Sequence, residues 1–263
     1  MTYEQKILDH YRKEAAAIGL GKESTMHDEY IKDMEVKFIL HVIDNYISYK
    51  VSQLNILDIG CGNGYLISLL SNKYKESKLW GLEFTEELYK LAESRKLENT
   101  TIQKGDCRVN NYKEKFFDII ISERVLINLL NPLDKLDSLR QIYSSLKEKG
   151  IYIMVEAFEE PLKILNKARS EMQLSDIKPA HHNEYLSEQT INSMKKIGFI
   201  EKECSIQRNF LSTHFFITRI LHESLRPPEG TIKNTEFVKF FTKALQPAIG
   251  NYSPILFRVF EKK

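Results

Sequence analysis

The segment Asp58-Ile59-Gly60-Cys61-Gly62-Asn63-Gly64 lies between an apolar run and a helical pattern. Its three glycines let a backbone turn tightly and approach a ligand with no Cβ in the way. A helix opening near Tyr65 aims its free N–H groups and the positive end of its dipole at that ligand. Glu83 ends the next strand-like run, where a carboxylate can accept hydrogen bonds from both hydroxyls of a ribose. Asp106, in Lys104-Gly105-Asp106 after a third run, is placed to meet an adenine amino group.

Two kinds of cofactor could use this layout. A dinucleotide needs room for a pyrophosphate and favours G-x-G-x-x-G. Here Tyr65 stands where the third glycine is required, and Asp58 repels a pyrophosphate. That aspartate suits a ligand with a cationic centre and an amino group, such as S-adenosylmethionine.

The elements that hold these residues alternate along the chain. Strand-like runs occur at Asn55 to Ile59, Lys78 to Glu83, Thr101 to Lys104, Phe117 to Ser122 and Ile151 to Val155. Helical patterns begin near Tyr65 and Thr85 and span Asp134 to Leu146. Such βαβ spacing predicts a doubly wound, parallel α/β sheet covered on both faces. Before it, Ile31, Met34, Phe38, Val42 and Tyr46 recur at helical spacing, widened by Ile39, Ile43 and Ile47. Ser24, Thr25 and Asp28 offer caps, and Gly19 and Gly21 in Ala15 to Lys22 mark a hinge between two helices. Residues 1–52 are therefore expected to form a helical lid on an α/β domain of residues 53–263. After Glu156 the alternation breaks. Glu159 to Tyr185 reads as an insertion over the sheet edge. A helix at Ser187 to Lys196 and a strand at Phe199 to Cys204 resume the pattern. An aromatic stretch follows at Asn209 to Leu225, and a closing strand at Ile255 to Phe260. Cap insertions are expected at about 157–186 and 209–250.

The motifs in order, Asp58 to Gly64, Glu83, Gly105-Asp106 and the strand ending at Ser122, resemble those of class I S-adenosylmethionine-dependent methyltransferases. The resemblance covers roughly Leu54 to Glu156. It implies a mostly parallel, seven-stranded, Rossmann-like sheet with the closing strand antiparallel. It further implies that Gly60 and Gly62 hold the methionine portion, Glu83 the ribose and Asp106 the adenine. Cys61, Phe84, Cys107 and Ser122 are assigned to the same cofactor wall.

The methyl acceptor is expected outside the carboxyl ends of the strands, beside Glu123 and Arg124, which leave the fourth strand there. Histidine suits proton removal from a hydroxyl. Pro179-Ala180-His181-His182-Asn183-Glu184-Tyr185 is therefore read as the acceptor side, with His182 and Glu123 as catalytic candidates. His214 and Arg219 are out of place in a purely apolar stretch, and they are assigned to a second wall. His182, Tyr185, His214 and Arg219 are expected to converge on one cavity near Glu123, with Arg124, His181 and Asn183 also binding the acceptor. These segments resemble bacterial enzymes that methylate sugars or surface-polysaccharide precursors. In those enzymes a histidine-asparagine-x-tyrosine run like His182 to Tyr185 lies at the acceptor, although His181 stands where a tryptophan is expected.

Composition narrows the remaining classes. Hydrophobic residues at 42% and charged residues at 28% describe a globular chain. The 38 basic against 36 acidic residues give no footprint for a nucleic-acid backbone, so a small-molecule acceptor is expected. The exit of the fourth strand, Ser122-Glu123-Arg124-Val125, lacks the Asp/Asn-Pro-Pro-Tyr/Phe tetrad of base-amino methylases. Cys61, Cys107 and Cys204 are odd in number and fit no zinc spacing, which predicts a reducing compartment and no metal. Met1 to Ala17 carries charges and lacks a signal core, and no apolar run approaches the roughly 18 residues of a membrane span. A cytoplasmic protein without a membrane partner is expected. Nucleic-acid methylation, N-methylation of another small molecule, and a catalytically inactive cofactor-binding subunit stand as alternatives.

Overall fold

In the computed structural model of the chain, residues 3–22, 26, 28–48, 53–109, 113–228 and 234–263 are described. Two helices come first, α1 (Tyr3–Ile18) and α2 (Glu29–Ser48). The alternating part follows as β1 (Asn55–Ile59), α3 (Tyr65–Lys73), β2 (Lys78–Glu83), α4 (Glu86–Ser94), β3 (Thr100–Lys104), β4 (Phe117–Glu123), α5 (Pro132–Ser145) and β5 (Leu146–Ala157). Then come α6 (Glu159–Glu171), α7 (Glu188–Ile197) and β6 (Phe199–Lys202). The last part holds α8 (Ser212–Phe216), a π-helical turn (Ile217–Leu221), α9 (His222–Ser224), α10 (Glu236–Ala244) and β7 (Ile255–Lys262).

The strands form one seven-stranded sheet in the order β3-β2-β1-β4-β5-β7-β6. β1 to β5 run parallel to one another, and β7 lies antiparallel between β5 and β6, as expected. Side chains alternate across β5: Ile151, Ile153 and Val155 join the core under α2 and α3, while Tyr152 and Met154 join the core under α5 and α7. The long apolar run of β4 follows from burial on both faces.

Three sequence expectations change. α2 is one of the helices that cover the sheet, because Phe38, Ile39, Val42 and Ile43 are buried in the same core as Ile119 and Ile153. Phe38 stacks on Phe257 of β7 at 4.8 Å. The expected boundary at residue 52 therefore separates no core from another, and α1 and the hinge alone stand outside the sheet cores. The insertion after β5 opens with a regular helix, α6, which buries Leu162 and Leu165. β5, expected from Ile151, already starts at Leu146, directly after the helix. Ser24 and Thr25 lie outside the described residues. Asp28 does cap α2, accepting from Ile31 N at 3.4 Å.

Candidate active site

The carboxyl ends of β1, β2, β3 and β4 open on one cavity of about 1110 Å³, counted out to its mouth. Main-chain register sets its floor. Gly60 N and Cys61 N both donate to Leu82 O on β2, at 2.7 and 3.1 Å, which folds the glycine loop over the strand ends. Gly60 has a φ of 67°, and a Cβ there would stand 2.5 Å from Val125 Cγ2. Only glycine lets the loop lie against the turn after β4.

Glu83 holds that loop from the neighbouring strand. It is buried, and its two oxygens accept from Gly62 N at 2.9 Å and Thr85 N at 2.8 Å. Burial raises its pKa against these backbone hydrogen bonds. Asp58 is 3% exposed, and its pKa lies far above the usual carboxylate range through burial and the charge of Glu123, opposed by Lys32. Across the cavity, Arg108 grips both oxygens of Asp106 and also reaches Glu4 of α1 and Asp134 of α5.

Another part of the cavity is built on the exit of β4. Glu123 accepts from Lys32 of α2 and from Arg124 Nη2 at 3.1 Å, and Arg124 Nη1 pairs with Glu35, also of α2. Asn128 donates to Arg124 O and to the Tyr11 hydroxyl of α1, both at 2.9 Å. Burial pushes the Tyr11 phenol up to about 12, so it stays protonated at neutral pH. Glu156 braces this turn from beneath by accepting from Val125 N and Leu126 N, each at 3.0 Å. Burial, against those hydrogen bonds, raises Glu156 to about 6.

α1 crosses the cavity and touches every wall. Glu4, Ile7 and Tyr11 line it. Arg12 bonds Glu87 of α4 at 2.7 Å. The hinge is pinned to the glycine loop itself: Asn63 Nδ2 donates to Gly19 O at 2.7 Å and Gly21 O at 2.8 Å, while Arg95 donates to Leu20 O and Asn63 O.

The lining contains Asp58, Gly60, Cys61, Gly62, Glu83, Phe84, Asp106, Cys107, Glu123 and Arg124. The other expected site residues do not reach it. Ser122 is fully buried, donates to Glu156 Oε1 at 2.9 Å and meets the Tyr152 hydroxyl at 2.6 Å, so it supports the turn from below. His182 stacks on His10 of α1, ring centres 3.9 Å apart, and its Nδ1 has no partner among the described residues. Burial, with the neighbouring His10 and His181, lowers its pKa to about 4, leaving a neutral ring at pH 7. His181 is exposed, and Asn183 and Tyr185 are half-buried outside the lining. His214 lies elsewhere, buried against Asp28 at 3.0 Å and Thr242 at 3.2 Å and stacked on Tyr30. Arg219 also turns to Asp28, at 3.7 Å. The expected convergence of His182, Tyr185, His214 and Arg219 on one cavity does not occur. The first two belong to a segment that packs against α1, and the last two anchor the start of α2.

Sequence reasoning missed Tyr11, Lys32, Glu35, Asn63, Arg108 and Asn128. Lys32 and Glu35 left a signal, being charges inside the apolar stripe of α2. Asn63 sat inside the glycine loop, whereas the roles of Tyr11, Arg108 and Asn128 depend on contacts between distant segments. Among the described residues, no group of three His, Cys, Asp or Glu could hold a metal ion, and no helix is long and apolar enough to cross a membrane.

Comparison with known proteins adds a family. The family described as "Methyltransferase domain" matches residues 50–209. The protein-lysine N-methyltransferase EFM4 of Saccharomyces cerevisiae is 27% identical over 136 residues, 46% of this chain and 59% of that protein. A malonyl-[acyl-carrier protein] O-methyltransferase of Bacillus cereus is 25% identical over 151 residues, 56% of this chain and 55% of that protein. The chain thus spans less than two thirds of either relative's length. Among solved structures, the PH0226 protein from Pyrococcus horikoshii OT3 superposes with a TM-score of 0.57 at 16% identity, covering 97% of this chain and 99% of that one. This last likeness is one of fold.

Proposed function

Because the chain belongs to the methyltransferase-domain family, we propose that it transfers a methyl group from S-adenosylmethionine to a hydroxyl of a small polar acceptor. The observation that carries this reading is the crowding of Asp58, Glu83 and Glu123 around the glycine loop, with Lys32 and Arg124 as their near cations. A raised Asp58 pKa marks a place that gains from a positive ligand group. The donor set therefore fits a cofactor with an ammonium and a sulfonium, and opposes a pyrophosphate.

When bound, S-adenosylmethionine supplies an electrophilic methyl group. Asp58 would meet the ammonium, Glu83 would meet the ribose hydroxyls, and Asp106, fixed by Arg108, would face the adenine. Gly60, Cys61 and Gly62 bring main chain against the ligand, with Phe84 and Cys107 beside it. α1 closes the cavity and excludes water, so positioning supplies most of the rate. Glu123 and Arg124 face the acceptor. The acceptors this reading favours are small hydroxylated compounds, nucleotide-linked sugars and phosphorylated precursors included.

The test is methyl uptake from labelled S-adenosylmethionine across three panels: hydroxylated small molecules, lysine-containing peptides and RNA. Label on the first panel is expected. Label confined to peptides or RNA overturns the acceptor class, and failure to bind S-adenosylhomocysteine overturns the cofactor.

A further inference from the structure

Among the described residues, four cations line the cavity: Lys22, Lys32, Arg108 and Arg124. Three of them are held by acids that line it too. Arg108 grips Asp106 and Glu4, Lys32 holds Glu123, and Arg124 Nη2 reaches Glu123 at 3.1 Å. Their charge is largely offset inside the cavity. Lys22 differs. Its Nζ stands 3.3 Å from Asp33 and 3.7 Å from Glu29, both exposed on the first turns of α2, and neither acid lines the cavity. Exposed ion pairs of this kind contribute little and exchange readily. Lys22 is the lining cation that a new anion in the cavity can recruit at least cost.

The backbone around Lys22 is fixed against the glycine loop. Asn63 Nδ2 donates to the carbonyl of the preceding residue, Gly21, and to that of Gly19. Arg95 donates to Leu20 O and to Asn63 O. These bonds set Lys22 beside the end of the loop, where α3 begins at Tyr65 and turns the positive end of its dipole. Tyr65 lines the same corner and lies within electrostatic reach of Lys22. Lys32 stands 5.9 Å from the centre of the Tyr65 ring and also acts on the charge of Asp58, which ties this corner to Asp58. Arg108 is at the other end, with Asp106.

The methionine portion of S-adenosylmethionine carries its ammonium and its carboxylate on one carbon. A cofactor whose ammonium meets Asp58 therefore brings a carboxylate to the Asp58 side of the cavity, where burial without a cation would be costly. We propose that Lys22 receives this carboxylate and gives up its surface pairs with Asp33 and Glu29 to do so. The amino-acid end of the cofactor is then read by two opposite charges, Asp58 for the ammonium and Lys22 for the carboxylate. Because Lys22 follows α1 in the hinge, the same contact ties the hinge to the loaded cavity. The inference deepens the cofactor reading above and rests on it.

Decarboxylated S-adenosylhomocysteine tests the idea, because it keeps the adenine, ribose, sulfur and ammonium and lacks only the carboxylate. Calorimetry of the wild type should show S-adenosylhomocysteine binding about ten- to hundred-fold more tightly than the decarboxylated ligand, the range for hydrogen bonds to a charged group. Lys22→Met should weaken S-adenosylhomocysteine by most of that factor and leave the decarboxylated ligand unchanged, so that the preference disappears. Lys22→Arg should keep it. The thermal midpoint of the unliganded protein should stay the same in both variants, since the pairs lost there are exposed. A wild type that binds both ligands equally overturns the assignment. So does a Lys22→Met variant that keeps the preference, or one that weakens both ligands by the same factor, which is the mark of a structural role. In each of these cases S-adenosylhomocysteine still binds the wild type and the cofactor reading stands. If the wild type binds neither ligand, both readings fall.

Discussion

The cofactor wall and the segments expected to form the acceptor wall meet different fates in the fold. Residues of the cofactor wall sit on short turns at the ends of parallel strands, where strand register leaves them little freedom, and all but Ser122 reach the cavity. His182, Tyr185, His214 and Arg219 sit on long connections that dock across the sheet, and none reaches it. Three of these four instead grip the N-terminal region: His182 stacks on His10 of α1, and His214 and Arg219 hold Asp28 at the start of α2. Polar side chains in a long connection can thus hold neighbouring helices in place rather than line the cavity.

Substitutions on the two sides should separate these roles. The largest effect is expected from Glu83→Ala, which removes a buried carboxylate from both the glycine loop and the ribose. Calorimetry should show affinity for S-adenosylhomocysteine weakened by about 1.5–3 kcal/mol, the range for hydrogen bonds to a charged group. An unchanged affinity would place the ligand elsewhere. Next comes His214→Ala, which leaves buried Asp28 with Arg219 and a backbone amide as partners. Stability should drop by about 1–3 kcal/mol in denaturant unfolding. Amide exchange in α1 should quicken, while intrinsic cofactor affinity changes far less than in Glu83→Ala. A collapse of cofactor affinity with stability intact would return His214 to the site.

The smallest effect concerns His182 and pH. Its folded pKa of about 4 lies below the ordinary 6.5, so the unfolded chain binds more protons between those values. Its contribution to stability is complete above pH 6.5 and is lost as pH falls towards 4. Thermal midpoints measured across that window should fall more steeply for the wild type than for His182→Phe. Parallel slopes would mean that the ring is not buried against His10.

The same contrast explains how much the sequence could disclose. Glycine spacing, Asp58, Glu83 and Asp106 were legible because each depends on a few neighbouring residues and on parallel strand order. The seven-stranded sheet was legible because apolar runs and helical stripes alternate at βαβ spacing. Ser122 misled because its place at the strand end suggested the cavity, whereas a hydrogen bond to Glu156 turns it under the floor. Glu35 stood out as a charge inside an apolar stripe, but its pairing with Arg124 across a helix–strand contact is not recorded in local sequence. α6 escaped because prolines and paired histidines around it obscured the periodicity of Leu162 and Leu165. Side-chain destinations across such long separations are set by packing, which local patterns do not record.

The central claim is that the cavity between the glycine loop and α1 is built for a cationic adenosine cofactor. Calorimetric titration of the wild-type protein with S-adenosylhomocysteine and, separately, with NAD tests it most directly. Saturable binding of one S-adenosylhomocysteine per chain, with no heat from NAD, is the result expected from Asp58, Glu83 and the glycine spacing. Saturable NAD binding with none for S-adenosylhomocysteine would contradict it.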